Sequence, residues 1–195
     1  MIYLSRIIYT ILLISFFGSA LVAQDSIIIV SWHASWDDAF HEWDVMYELP
    51  NGEIEEGEVE ATWHHLSDWS TWDVHIGDYD GIIRQKWNKN DQLWEFRMDG
   101  NITTCETKWS GDYSEWTMSF NGDIKIKWLS KSYRDGNNWF FEDPEYGVYE
   151  FYTEYLDDPR DWIVFDDTAI DLPVDIKILC GFIAMFRSTK QYRQR

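Results

Sequence analysis

Apolar residues recur at every second position from Trp43 almost to the end of the chain. Trp43-Asp-Val45-Met-Tyr47-Glu-Leu49 is the first such run, and Pro50-Asn51-Gly52 turns it back into a return strand over residues 54–63. Strict alternation marks strands with one face on a core and the other in water. Hairpins then follow in series: Trp72–Ile76 with Ile82–Trp87, Trp94–Met98 with Ile102–Trp109, Trp116–Phe120 with Ile124–Trp128, and Trp139–Phe141 with Tyr149–Tyr155. Two of the turns are Asp99-Gly100 and Asn121-Gly122. Such pairs are strong hairpin signals, because both central residues of the tightest turns need positive φ. A further strand begins at Trp162.

The spacing is periodic. Trp72, Trp94, Trp116, Trp139 and Trp162 stand 22, 22, 23 and 23 residues apart, each opening an outgoing strand. A period of this length marks a repeated supersecondary unit. Consecutive hairpins make an antiparallel up-and-down meander of roughly 10–12 short strands, and accumulated twist prevents so many from lying flat. The expected fold class is all-β, a rolled sheet or barrel, with one α-helix at the C-terminus.

That helix is read over about 173–190. Asp171 and Asp175 flank Pro173 at its start, residues 176–186 are nearly all apolar, and Arg187, Lys190 and Arg193 close it. Acids and proline first and bases last suit the helix dipole. It is expected to cap an open end or flank of the sheet; a final strand over residues 174–183 is the rival reading. Near the other terminus, residues 27–32 read as a short strand. Ser35-Trp-Asp-Asp38 resembles a capping box ahead of one or two helical turns at Ala39–Glu42.

Parity places the indoles. Each Trp of a hairpin sits opposite the glycine turn, so Trp43, Trp63, Trp72, Trp87, Trp94, Trp109, Trp116, Trp128, Trp139 and Trp162 are expected along one rim, most of them facing inward. Three roles fit such a belt. It plugs one end of a wide barrel, or it forms a ligand mouth for an apolar small molecule or the C–H faces of a glycan, or it is a membrane girdle. The alternations cover five to seven residues, short of the ~9–11 a spanning strand needs. The ligand-mouth reading names Trp72, Trp94, Trp116, Trp139 and Trp162 as the candidate binding residues.

Composition narrows the partners. Sixteen bases against 35 acids give a net charge of −19, which repels nucleic acid and anionic lipid. Residues 1–23 carry a single charge, Arg6, an apolar run over 7–17 and small residues at Gly18-Ser19-Ala20 and Ala23. That is the pattern of a secretory signal peptide, too short for a span of about 20 residues. Cleavage is expected after Ala23, with Ala20 the other choice. The expected mature chain, 24–195, is a single domain that is exported and does not span the membrane. Export permits a disulfide between Cys105 and Cys180, but a domain of this size buries enough core without one.

Candidate chemistry is sparse. All five histidines lie between positions 33 and 75, and His33, Asp37 and His41 at i, i+4 and i+8 would align on a helix. No HExxH or cysteine pair supports zinc there. Asp37-Asp38, Asp157-Asp158 and Asp166-Asp167 are adjacent acids among many. A glycosidase needs two inward carboxylates, and the inward parity is apolar. Asp78-Tyr-Asp80-Gly81 reads as a turn rather than a calcium loop. Asn101-Ile-Thr103 is an N-glycosylation sequon, with meaning in a host that glycosylates. Asp25-Ser-Ile27 and Asp167-Thr-Ala169 match a short O-glycosylation motif of exported bacterial proteins. No nucleophile elbow, P-loop or dinucleotide fingerprint occurs. No catalytic residue, metal site or cofactor is expected.

The passage Trp94-Glu-Phe-Arg-Met-Asp-Gly-Asn-Ile, then Lys108-Trp109, Trp116-Thr-Met-Ser and Gly122-Asp-Ile-Lys-Ile, resembles the strand, Asp-Gly, strand, Trp rhythm of small secreted bacterial lipocalin-like proteins. The likeness covers residues 43–186 in style. It implies an up-and-down barrel with a helix after the last strand, although a lipocalin has eight strands and the Gly-x-Trp of that family is absent here. No functional residue carries over. The reading that results is a secreted, non-enzymatic binding module using a Trp-rich face or mouth; the alternative is a structural or adhesive surface protein whose Trp belt is core.

Overall fold

The computed structural model describes residues 27–36, 39–131, 136–156, 158–169 and 171–192. The expected signal peptide, Asp25, Asp37, Asp38, Asp157, Arg193 and Arg195 lie outside them.

Twelve antiparallel strands close into one barrel, each pairing with its sequence neighbours, and β1 pairing with β12. They are β1 (Ile28–Trp36), β2 (Ala39–Glu48), β3 (Ile54–Trp63), β4 (Asp68–Ile76), β5 (Tyr79–Gln85), β6 (Leu93–Met98), β7 (Asn101–Trp109), β8 (Asp112–Phe120), β9 (Ile124–Ser130), β10 (Asn138–Asp143), β11 (Gly147–Thr153) and β12 (Asp161–Thr168). The expected meander is therefore present and fully closed. Asp99 and Gly100 have φ of 48° and 80°, Asn121 and Gly122 of 48° and 86°, the backbone their sequence asks for.

The helical turns expected at Ala39–Glu42 are instead the start of β2, and Ser35 and Trp36 end β1, where Trp36 pairs with Ala39. β1 pairs with β12 on one side and β2 on the other, which no short helix offers.

The C-terminal helix, α1 (Val174–Ser188), matches the expected span but not the expected place. It runs inside the barrel. Every residue from Val174 to Phe186 is buried, and its side chains meet strands all around the wall. Gly181 lies under the Trp32 indole of β1, Phe182 and Phe186 pack edge-on against Trp72 of β4 and Trp94 of β6, and Lys177 pairs with Asp166 of β12. A helix apolar on all sides is a buried helix. Geometry demands it: roughly eight strands make a barrel that side chains alone can fill, and twelve leave a lumen that needs another element. Gly181 is small because a Cβ there would lie 3.0 Å from two indole atoms of Trp32.

β12 runs from the Trp end to the glycine-turn end, and α1 returns through the lumen. At its exit, Arg187 and Lys190 both reach Asp91 of the β5–β6 connection, at 3.0 and 3.4 Å, and the Arg187 guanidinium lies 3.4 Å from the Tyr113 ring centre. At its entry, Asp175 is buried with Oδ2 unpaired among the described residues. Burial, with a smaller push from Asp99, raises its carboxyl pKa to about 6. The folded chain thus holds a proton that an unfolded chain releases near pH 4, so this group makes stability fall as pH rises from about 4 to about 6. The expected size is about 3 kcal/mol. Chemical unfolding of the wild type and the Asp175→Asn variant from pH 4 to 8 checks it: the variant should gain on the wild type through that window, and a constant difference would refute the assignment.

Candidate functional site: the tryptophan rim

The belt of indoles exists, and it is core. Trp72, Trp94, Trp116, Trp139 and Trp162, the five candidate binding residues, are at most 2% exposed, as are Trp32, Trp43 and Trp128. One device recurs in every even-numbered strand. The indole Nε1–H of Trp43, Trp72, Trp94, Trp116, Trp139 and Trp162 donates to the backbone carbonyl three residues earlier: Phe40, Trp69, Asp91, Tyr113, Gly136 and Pro159. Each bond satisfies a buried donor and fastens the connection at the strand's start to the wall. In three repeats the residue at i−3 is itself aromatic and packs on the indole, as Phe40 on Trp43, Trp69 on Trp72 and Tyr113 on Trp116. The aromatic-x-x-Trp spacing was in the sequence, one step beyond the Trp period itself.

The expected rim also included Trp63, Trp87 and Trp109, with parity turning most of its members inward. These three are instead 46%, 63% and 63% exposed, and Trp36, on no such list, is 56% exposed. The reason is local. Register shifts fall between Ala34 and Trp36, Ala61 and Trp63, and Thr107 and Trp109. Each shift spans two residues of the odd-numbered strand against four of its partner, so the extra residues lie on β2, β4 and β8. Trp36, Trp63 and Trp109 keep the parity of Ala34, Ala61 and Thr107 but stand at the last position of β1, β3 and β7, past the filled interior. Trp87 lies two residues beyond the end of β5. Four consecutive odd-numbered strands therefore end in an exposed indole at the rim whose interior the buried belt fills. Leu66, Tyr155 and Leu156 are exposed at the same end.

Polar side chains line this crown. Trp36 Nε1 donates to Glu42 at 2.8 Å, Lys108 Nζ lies 5.9 Å from the Trp109 ring centre, and Trp63 meets His65 edge-on. His41 stacks on His64 at 4.1 Å, and burial together with His64 lowers the pKa of His41. Asp91 is held below the usual carboxylate range: burial works against this, but Tyr113, Lys190 and Arg187 outweigh it.

The other chemical candidates resolve into structure. His33 and His41 stand on separate strands, and His33 bonds Ser31 and Asp161, so no helical ligand row forms; among the described residues no group of three or more His, Cys, Asp or Glu could hold a metal ion. Asp80 pairs with His75 and Asp158 with Arg160. Asp166 corrects the expected apolar interior: it faces the lumen, 4% exposed, opposite Lys177. Cys105 and Cys180 are both buried free thiols, and burial pushes both thiols well up.

Compared with protein-family models, with curated proteins and with solved structures, the chain matches none.

Proposed function

We propose that the protein is an exported, non-enzymatic binding module that works from its rim, with the exposed indoles of Trp36, Trp63, Trp87 and Trp109 as the contact residues and a glycan chain as the ligand. The carrying observation is that four tryptophans at or just past the ends of β1, β3, β5 and β7 stand exposed at one end of the barrel. Exposed tryptophans so grouped mark contact surfaces. Odd-numbered strands are two strand spacings apart, roughly 10 Å, so neighbouring indoles sit apart rather than enclosing a volume. A small apolar molecule needs enclosure. A sugar chain lying across separated aromatic faces does not. The net charge of −19 favours a neutral or cationic glycan over an anionic one.

The buried belt supports the structural reading of those particular residues. Trp72 and Trp94 pack on α1, all five indoles bond the chain three residues earlier, and a ligand would reach them only by displacing this packing. No described helix is long and apolar enough to cross a membrane, and the carboxylates on the outer faces of β2 and β3 are unlike a lipid-facing band.

Affinity electrophoresis through a panel of soluble neutral polysaccharides tests the proposal. Contact residues of this kind are worth more than about 1 kcal/mol each, so the Trp63→Ala/Trp87→Ala/Trp109→Ala variant should bind about a hundredfold more weakly. Its near-ultraviolet circular dichroism should stay that of the wild type, because the belt is untouched. Equal retardation of both proteins, or retardation of neither by any polysaccharide, would refute glycan binding at the crown.

A further inference from the structure

Ser31, His33 and Asp161 form a row on the outer face of the barrel. Ser31 and His33 flank the buried Trp32 of β1, and Asp161 precedes the buried Trp162 of β12. The Ser31 hydroxyl lies 2.8 Å from His33 Nε2, and His33 Nδ1 lies 3.0 Å from Asp161 Oδ1. A carboxylate can only accept, so Nδ1 carries the hydrogen and Nε2 accepts the hydrogen that Ser31 donates. Nucleophile, base and orienting carboxylate each meet the ring nitrogen that their roles require. Asp44 stands opposite His33 on β2, a second carboxylate to favour the imidazolium that forms when the ring takes a proton. Asp161 is 128 residues from His33, so only the closure of β1 onto β12 assembles the row.

The surroundings are apolar on the Ser31 side. Ser31 faces Ile163 on β12 and Met46 on β2, and Ile163 faces Tyr152 on β11. Phe165, 51% exposed, follows Ile163 on the same face of β12. The side chains of His33 and Asp161 are 39% and 34% exposed, so a molecule lying along this strip reaches the row. The backbone is irregular at the same place. Between Ile29 and Ser31 the strand β1 advances two residues while β2 advances one, which makes Val30 the extra residue of a bulge. Such a residue is left out of the ladder, and a backbone N–H so released beside the nucleophile is the kind of donor an oxyanion needs.

We propose that Ser31 is a nucleophilic serine, primed by His33 and positioned through Asp161, that accepts the acyl group of an activated fatty-acid ester. It is a modification site on the wall, separate from the binding at the crown. Ser31 Oγ attacks the carbonyl carbon while His33 Nε2 takes the hydroxyl proton. A bond forms between Oγ and the acyl carbon, and the bond from that carbon to the leaving oxygen breaks. The leaving group departs with the electron pair and takes the proton back from His33. Asp161 keeps the ring in the accepting tautomer throughout. Ile163 and Phe165 give the acyl chain an apolar track, and the net charge of −19 favours a neutral ester over an anionic one.

Treatment of the full chain with an alkyl fluorophosphonate tests this, with phosphorus standing for the acyl carbon and fluoride for the leaving group. Mass spectrometry should find one adduct per chain, on Ser31, and none in Ser31→Ala. His33→Gln should slow the labelling about a hundredfold. Asp161→Asn, whose amide can donate to Nδ1 and turn the ring to the wrong tautomer, should slow it by about as much. Near-ultraviolet circular dichroism should be that of the wild type in all three, since each change is on the outer face. The crown variant Trp63→Ala/Trp87→Ala/Trp109→Ala should label as the wild type does. With p-nitrophenyl esters, octanoate should acylate Ser31 about tenfold faster than acetate, and Ile163→Ser/Phe165→Ser should erase that preference. No adduct on Ser31, or a labelling rate unchanged in His33→Gln or Asp161→Asn, would overturn the proposal; equal rates for the two esters would overturn the fatty-acyl assignment.

Discussion

A chain ending at Pro173 is expected to lose cooperative folding altogether. α1 contributes Ile176, Ile178, Leu179, Phe182, Ile183, Met185 and Phe186 to the core, all buried. Burying a side chain of this kind is worth about 1.5–3 kcal/mol, so seven amount to roughly 10–20 kcal/mol. The whole net stability of a domain is about 5–15 kcal/mol. Removing the helix also bares the lumen faces of Trp32, Trp72 and Trp94 to water. The measurement is near-ultraviolet circular dichroism with thermal unfolding. The truncated chain should give a flat aromatic signal, no sharp transition and strong binding of a hydrophobic dye. A truncated barrel that melts sharply would show that α1 is an ornament in the lumen rather than its core.

Lys177→Ala carries the next largest effect, a loss of about 3–5 kcal/mol. Lys177 Nζ lies 2.8 Å from Asp166 Oδ2, with the two side chains 6% and 4% exposed. Deleting the ammonium leaves a carboxylate with no water and no counter-charge. Thr168 still donates to Asp166 through its hydroxyl and its backbone N–H, but two neutral donors do not replace a cation. For a chain of this length the melting temperature should fall by roughly 10–15 °C. The double variant Asp166→Asn/Lys177→Met separates charge from packing: it keeps the Thr168 bonds, removes both charges and should regain most of the loss. If Lys177→Ala costs as much in an Asp166→Asn background as in the wild type, the ion pair is not the cause.

Both outcomes depend on a placement that the sequence stated only in part. Residues 176–186 were plainly apolar, and their helical ends were legible from Pro173, Asp175 and Arg187. The sequence reading placed it as a cap on an open end or flank, whereas a helix apolar on all sides is surrounded. What surrounds it could not be read, because the lumen diameter follows from strand number and closure. Those depend on β1 pairing with β12 across more than a hundred residues. Strand pairing likewise drew Ala39 to Glu42 into β2, against a local pattern that suited a helix start equally well.

The tryptophans divide along a similar line. Trp43, Trp72, Trp94, Trp116, Trp139 and Trp162 went inward as alternation required, since each lies within a regular stretch of an even-numbered strand. Trp36, Trp63 and Trp109 share the inward parity but stand exposed at the last position of their strands, where the register shifts by two extra residues on β2, β4 and β8. Where a strand outruns the filled interior leaves little mark in a run of alternating residues. The candidate site changes accordingly. The residues named from the period are buried, and the proposed contact residues are those left exposed at or just past strand ends.

The amino-acid sequence by itself determined the antiparallel meander, its turns, the one-sided burial of each strand and the helix that ends it. These follow from side-chain alternation and from backbone preferences a few residues long. Only the tertiary structure decided that the sheet closes at twelve strands, that the helix fills the lumen, and that four indoles ring the rim outside it. Closure, filling and the point where a strand outruns the filled interior are set by packing between residues distant in the chain, where a local pattern has no say.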